Sequence, residues 1–221
     1  MPQTLNFYFD YLSPFAYFAW LRLQPFSSKH NLELVAHPVV FGKLLDHWGQ
    51  LGPAEIVPKS QWVGRYSMRY AALNGFEYNP PEFHPFNPLP ALRLSLPEVS
   101  GEDQFKVIQA IFDAGWTRGM DISDMDILVR ILEDADLDGR ELVRRLTDPV
   151  VKQALIDETS DAVSQGVFGV PTMIINDELF WGNDQFEHME LLVTGNDVLD
   201  YEKLAQFSDR TRKIDRKRVT N

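Results

Sequence analysis

Strand-like sequence occurs only near the two ends of this chain, and about 100 helical residues separate the two groups. Leu5 to Phe9 is short, apolar and aromatic, which is the pattern of a buried strand. Ser13-Pro14 follows, a good helix N-cap and first helical residue, and predicts a helix from Pro14 to about Gln24. Pro25 should end or kink it. Leu32 to Val40 alternates and is rich in β-branched residues, so it reads as a second strand. A β-α-β opening favours parallel strands. Near the other end, Thr172–Ile175 and Glu178–Trp181 flank Asn176-Asp177, a pair suited to a tight hairpin turn. A helix to Val193 follows.

Between these groups the pattern is helical. Gln61 to Asn74 stops at Gly75, and Asp103 to Trp116 is amphipathic. Asp124 begins a helix through Leu132, Gly139 to Leu146 forms a short one, and Asp148-Pro149 opens a longer one that Gly166 closes. Tyr78 to Pro97 carries six prolines and predicts a loop with a short helix. The expected fold class is therefore α/β: a β-α-β…β-β-α domain with a large all-helical insertion. Residues 1–42 and 147–200 make up the discontinuous domain, 43–146 the insertion and 201–221 a C-terminal tail.

Composition narrows the function. The formal charge of −11 argues against general nucleic-acid binding, which needs a basic face. Six basic residues between Arg210 and Arg218 are the local exception, and they read as a solvated or subunit-contacting tail. With no cysteine, disulfides, thiolate metal sites and a redox cycle on the protein's own sulfur are all excluded. The five histidines lack metal-ligand spacing. His47 and His84 are conceivable acid–base groups, although each reads first as a surface or packed imidazole. No signal peptide or membrane span is visible, so a cytoplasmic protein is the expectation.

Four segments resemble the DsbA and kappa-class glutathione transferase group of thioredoxin-like proteins, and above all the 2-hydroxychromene-2-carboxylate isomerase family. They are Phe7-Tyr8-Phe9-Asp10-Tyr11-Leu12-Ser13-Pro14-Phe15, Phe112-Asp113-Ala114-Gly115-Trp116, Val167-Phe168-Gly169-Val170-Pro171-Thr172 and Phe180-Trp181-Gly182-Asn183-Asp184. They occur in the family's order from about residue 5 to 195. The resemblance implies a thioredoxin-like fold, glutathione as cofactor, a small aromatic-derived substrate of aromatic catabolism, and a homodimer. It implies that Ser13 is catalytic and donates a hydrogen bond to the glutathione sulfur. It places a cis peptide at Val170-Pro171, with the Val170 N–H and C=O unpaired and free to hold the cysteinyl part. Asn183 and Asp184 would anchor the γ-glutamyl group, and Lys59 the glycyl carboxylate. Gln50 stands where the family often has Asn. Phe41, Trp48, Trp62, Trp116 and Trp181 are candidates for an apolar substrate pocket, bordered by the segment Phe83 to Pro88.

The physics of the first motif agrees with this chemistry. In a redox thioredoxin, positions 13 and 16 would both be cysteine; here they are Ser13 and Ala16. The helix start keeps its free N–H groups and positive dipole end, which favour an anion. Lowering a thiol pKa by about 2 units takes roughly 2.7 kcal/mol of thiolate stabilisation. One charge-assisted hydrogen bond and a helix end together are about that size. The expected activity is glutathione-dependent isomerisation by reversible thiolate addition. The alternatives are a kappa-type transferase that conjugates glutathione to an electrophile, and a non-catalytic thioredoxin-like protein that captures an extended peptide.

Overall fold

The computed structural model describes residues 3–208 together with 210 and 211. Their elements fall into two compact units, one ending at Gln185 and the other beginning at Phe186. The basic cluster of the tail lies almost wholly outside the described residues.

In the first unit, β1 (Thr4–Phe9) lies at the centre of a four-stranded sheet of order β2-β1-β3-β4. β2 (Glu33–Pro38) runs parallel to β1, joined to it through α1 (Pro14–His30). β3 (Thr172–Ile175) pairs antiparallel with β1, and β4 (Glu178–Trp181) antiparallel with β3. The hairpin turn is as the sequence predicts: Asn176 and Asp177 both have positive φ, 51° and 65°, the conformation that matches strand twist in a two-residue loop.

One expectation fails. α1 runs through Pro25 to His30 and stops at Asn31, whose φ of 51° closes it. Pro25 sits on the exposed face, while Phe26 and Ser27 beyond it are buried. Burying Phe26 is worth about 2–3 kcal/mol, comparable to the cost of a proline inside a helix.

The alternation of β1 sends its side chains to two different cores. Leu5, Phe7 and Phe9 are fully buried on one face, where Phe7 stacks on Trp20 and Phe9 meets Phe112. Tyr8 points the other way, into a cluster with Val39, Leu44, Ala162, Val167, Val170 and Ile174.

The helical elements between β2 and β3 begin with α2 (Phe41–Trp48) and α3 (Val57–Asn74), which ends at Gly75 with φ 69°. Next come α4 (Leu89–Leu94), α5 (Pro97–Ser100), α6 (Gln104–Trp116), α7 (Met125–Asp134) and α8 (Gly139–Arg145). α9 (Pro149–Ser164) leads back to the sheet. Asp124, Asp138 and Asp148 each cap the helix that follows with a side-chain carboxylate. α6 supplies Phe112, whose ring meets those of Phe9, Tyr11, Tyr17 and Trp20. The second unit holds α10 (Phe186–Val193) and α11 (Tyr201–Ser208). No helix among the described residues is long and apolar enough to cross a membrane.

Candidate active site

The turn from β1 to α1 is fastened on every side. Its backbone carbonyls are taken in succession: that of Asp10 by the Ser13 N–H, that of Tyr11 by the Trp116 indole N–H at 3.0 Å, and that of Leu12 by the His84 ring at 2.8 Å. The Tyr11 hydroxyl bonds Ser95 at 2.6 Å and is fully buried. Burial pushes its pKa far above the ordinary tyrosine range. Trp116, His84 and Ser95 all belong to the segment between β2 and β3, so that segment sets the position of Ser13. Trp116, one of the aromatics weighed between pocket and core, is buried and donates to the Tyr11 carbonyl.

Ser13 caps α1. Its hydroxyl accepts from the Ala16 N–H at 3.2 Å and donates to the Val170 carbonyl at 3.3 Å. The Val170-Pro171 peptide is cis. The sequence reading left both Val170 backbone groups unpaired; the structure corrects half of that. The carbonyl is engaged by Ser13, while the N–H finds no partner among the described residues. No side chain in the first turn of α1 itself is acidic.

From Pro171 the contacts continue to the second anchoring segment. The Gly182 N–H donates to the Pro171 carbonyl at 3.0 Å, which fixes the Gly182-Asn183-Asp184 turn against the cis-proline loop. Gly182 has a φ of 114°, and a Cβ there would lie 2.7 Å from an Asp184 carboxylate oxygen. Only glycine fits. Asn183 is 3% exposed, and its amide nitrogen is buried with no full hydrogen bond. Asp184 beside it is exposed.

On one wall of this cradle, sequence reasoning named Trp62 but missed Tyr66 and Tyr70. α3 carries Trp62, Tyr66 and Tyr70 at four-residue spacing, and their rings stack successively at 5.1 and 5.7 Å. Tyr66 packs edge-on to Phe15, two residues after Ser13. Tyr70 receives a bond from Arg22 at 3.0 Å and donates to the Asn183 carbonyl at 3.3 Å. Burial raises the Tyr66 pKa; the Asn183 amide, near enough to act on it but short of a well-formed bond, works against that rise. Aromatics at helical spacing usually signal core, which gives Tyr66 and Tyr70 no distinguishing mark in the sequence. The signal available was the exposed remainder of the same helix.

Asp10 was also missed. It is fully buried with no cation beside it, and its two oxygens accept the Leu12 N–H at 3.0 Å and the Phe41 N–H at 2.9 Å. Burial pushes its pKa up to about 7, against the lowering effect of those two bonds. It ties the Ser13 turn to the start of α2.

The remaining candidates are distributed as follows. Phe41 packs on the cluster containing Val167 and Val170. The Trp48 indole donates to the Val167 carbonyl at 2.9 Å. Trp181 lies against Phe168 and so close to Gly169 that a Cβ there would be 2.7 Å from its indole nitrogen. These three gather on the cis-proline loop, whereas Trp62 stands with Phe15 and Tyr66. Lys59 occupies the first turn of α3, on the face of Trp62 and Tyr66 by helical spacing, and forms no ion pair among the described residues. Gln50 is exposed just beyond α2. No contact joins either of them to Ser13 or Val170.

The sheet order, the Ser13 helix start and the cis-proline loop match one family. The DsbA-like thioredoxin domain family aligns with residues 4–193. The chain belongs to that family. Among curated DsbA-like relatives, the 2-hydroxychromene-2-carboxylate isomerase of Sphingobium xenophagum is 28% identical over 194 residues, covering 86% of this chain and 97% of its own. Rat glutathione S-transferase kappa 1 is 21% identical over 210 residues, with 87% and 91% coverage. A solved 2-hydroxychromene-2-carboxylate isomerase superposes with a TM-score of 0.79 at 23% identity, covering 93% of this chain and 98% of that one. The cytosolic disulfide reductase DsbM from Pseudomonas aeruginosa, solved with GSH, gives 0.60 at 16% identity, with 93% and 98% coverage. The chain is an enzyme of the group that holds these isomerases and the kappa transferase.

Proposed function

We propose that this enzyme is a glutathione-dependent isomerase of the 2-hydroxychromene-2-carboxylate type. One observation carries the reading: Ser13, at the N-terminus of α1, bonds across to the cis-proline loop, in a chain that has no sulfur nucleophile of its own. The residues present fit glutathione. The Val170 N–H is unpaired where a cysteinyl backbone would lie, and the buried Asn183 amide lacks an acceptor where a γ-glutamyl carboxylate would supply one. Asp184 is exposed beside it to meet the ammonium, and Lys59 and Gln50 stand free for the glycyl end.

When bound, glutathione supplies a thiolate that adds reversibly to a conjugated carbon, so that a double bond becomes single and can rotate. The chain's own part is to favour that thiolate and to hold both partners close. Ser13 turns its proton from the Val170 carbonyl toward the sulfur and keeps accepting from Ala16. The helix end adds its field. Phe41, Trp48, Trp62 and Trp181 supply apolar surface for the aromatic part of the substrate. A homodimer, which the family resemblance implies, is part of this reading, as is a cytoplasmic location. The discontinuous domain of residues 1–42 and 147–200 would then hold the sulfur, and 43–146 would share the substrate wall with Phe41 and Trp181.

Ultraviolet absorbance of bound glutathione tests this directly. The wild type should show thiolate near neutral pH. Ser13→Ala should bind within a few-fold of wild type, with the thiol pKa raised by about 1–2 units. Glutathione bound to the wild type with an unshifted thiol would remove the catalytic reading in favour of a binding module. The rat kappa relative favours a transferase as the second reading; stoichiometric consumption of glutathione would select it.

A further inference from the structure

The loop between α3 and α4 places a titratable ring directly on the Ser13 turn. A ring nitrogen of His84, Nε2, lies 2.8 Å from the Leu12 carbonyl oxygen. A carbonyl can only accept, so Nε2 carries the hydrogen. In the neutral ring this leaves Nδ1 with a free lone pair. Trp116 and Phe86 flank the imidazole at 5.9 and 6.0 Å between ring centres. Trp116 is itself fixed by its bond to Tyr11, so the ring is held at two points on the turn. His84 is exposed and forms no ion pair among the described residues, and no charged side chain bonds it. Leu12 and Ser13 are consecutive, with Cα atoms about 3.8 Å apart. The imidazole is thereby anchored on the peptide group that joins Leu12 to Ser13.

We infer that His84 is the acid–base catalyst of the second substrate. This rests on the isomerase reading. The substrate class is a cyclic hemiketal carrying a carboxylate, as 2-hydroxychromene-2-carboxylate is. Nδ1 removes the proton of the hemiketal hydroxyl. The O–H electron pair becomes the second bond of a ketone, and the ring C–O bond breaks with its pair leaving on the phenolic oxygen. That oxygen takes the proton back from the imidazolium, so His84 ends neutral and no other reactant is consumed. Ring opening exposes the conjugated ketone to which a thiolate can add. Ser13 serves the sulfur and His84 the oxygens, from adjacent points of one turn.

His84→Gln is the informative variant, because its amide nitrogen can keep the bond to the Leu12 carbonyl but cannot take up a proton. Isomerisation of 2-hydroxychromene-2-carboxylate with reduced glutathione would be followed for both proteins from about pH 5 to pH 9. The expected result is a fall in kcat of about 100-fold at neutral pH, with the thiol-dependent acid limb retained, and partial restoration by added imidazole. Affinity for glutathione and the absorbance of its bound thiolate should be unchanged. Independently of activity, ¹⁵N NMR of the wild type should show the Nε2–H tautomer at neutral pH. A variant within about threefold of wild type with the same pH profile overturns the inference while leaving the isomerase reading intact. So does finding the hydrogen on Nδ1. A wild type that ionises bound glutathione yet isomerises nothing sinks both.

Discussion

The floor and the wall of this cradle are built on opposite principles. Along the floor, Asp10 to Ser13, three successive carbonyls receive a hydrogen bond, two of them from side chains that arrive from the helical segment. Along the wall, the large aromatics are fastened at one edge or by stacking alone, and Trp62 and Trp181 leave about half their surface to solvent, 52% and 53%. Groups that must stabilise charge gain from being fixed beforehand, because reorganisation then costs nothing at the moment of reaction. Surfaces that accept an apolar partner need only shape and area. The contrast predicts that changes to the floor disturb folding and sulfur chemistry together, whereas changes to the wall alter substrate preference and little else.

The largest effect that would break or sharpen this contrast lies with Asp10. Its pKa is about 7 in the fold against 3.8 for the free side chain. Between those values the unfolded chain releases a proton that the folded chain keeps. The group's contribution to stability therefore falls as pH rises from about 4 to 7, by up to about 4 kcal/mol, and is flat above and below that window. Asp10→Asn cannot ionise and should lack this component, so its stability relative to wild type climbs across the same window. Urea denaturation at a series of pH values measures it; parallel curves would remove Asp10 from this role.

Next in size is Trp116→Phe, which keeps an aromatic ring but leaves the Tyr11 carbonyl unbonded in a buried place. A loss of about 2–3 kcal/mol is expected in the same assay. The thiol pKa of bound glutathione should also drift upward as the turn loosens. A stable variant with an unchanged thiol would mean that the helical segment does not hold the floor.

Gly182→Ala follows. A residue with Cβ at φ 114° is strained, and the Asp184 carboxylate must move away. Stability should drop by about 1–2 kcal/mol. Calorimetry should show glutathione affinity reduced by about tenfold, because the γ-glutamyl anchor is displaced. Equal affinity would place that anchor elsewhere. The smallest effect belongs to the wall: Trp62→Ala should change the unfolding free energy by less than about 0.5 kcal/mol. KM for the aromatic substrate should nonetheless rise several-fold. A large loss of stability would show that this ring is packing after all.

How much of this could be read from the chain depended on the range of the interactions. The hairpin was legible because Asn176-Asp177 solves a local problem, a turn needing two residues at positive φ. The Ser13 cap was legible for the same reason. Pro25 was misread, because local propensity ends a helix there and only the burial of Phe26 carries it on. The Ser13–Val170 bond joins residues 157 apart, and no spacing rule announces such a pair. The motif ending in Trp116 was legible as a landmark of the helical insertion, but its grip on the Tyr11 carbonyl, 105 residues away, was not. Tyr66 and Tyr70 were hidden by a periodicity that core helices share.

Under the proposed glutathione-dependent activity, the link between Ser13 and Val170 has a corollary for which thiols would be accepted. At 3.3 Å it is a long contact between the hydroxyl proton and one of the two lone pairs of the carbonyl. Entry of a ligand is thus an exchange of partners: one end must take over the proton and the other must replace what the carbonyl gives up. A simple mercaptan offers sulfur without a peptide group, and an ordinary peptide the reverse, so each strands one half of the broken pair. Only a molecule bearing both, at the separation of a cysteinyl residue, leaves neither side unmet.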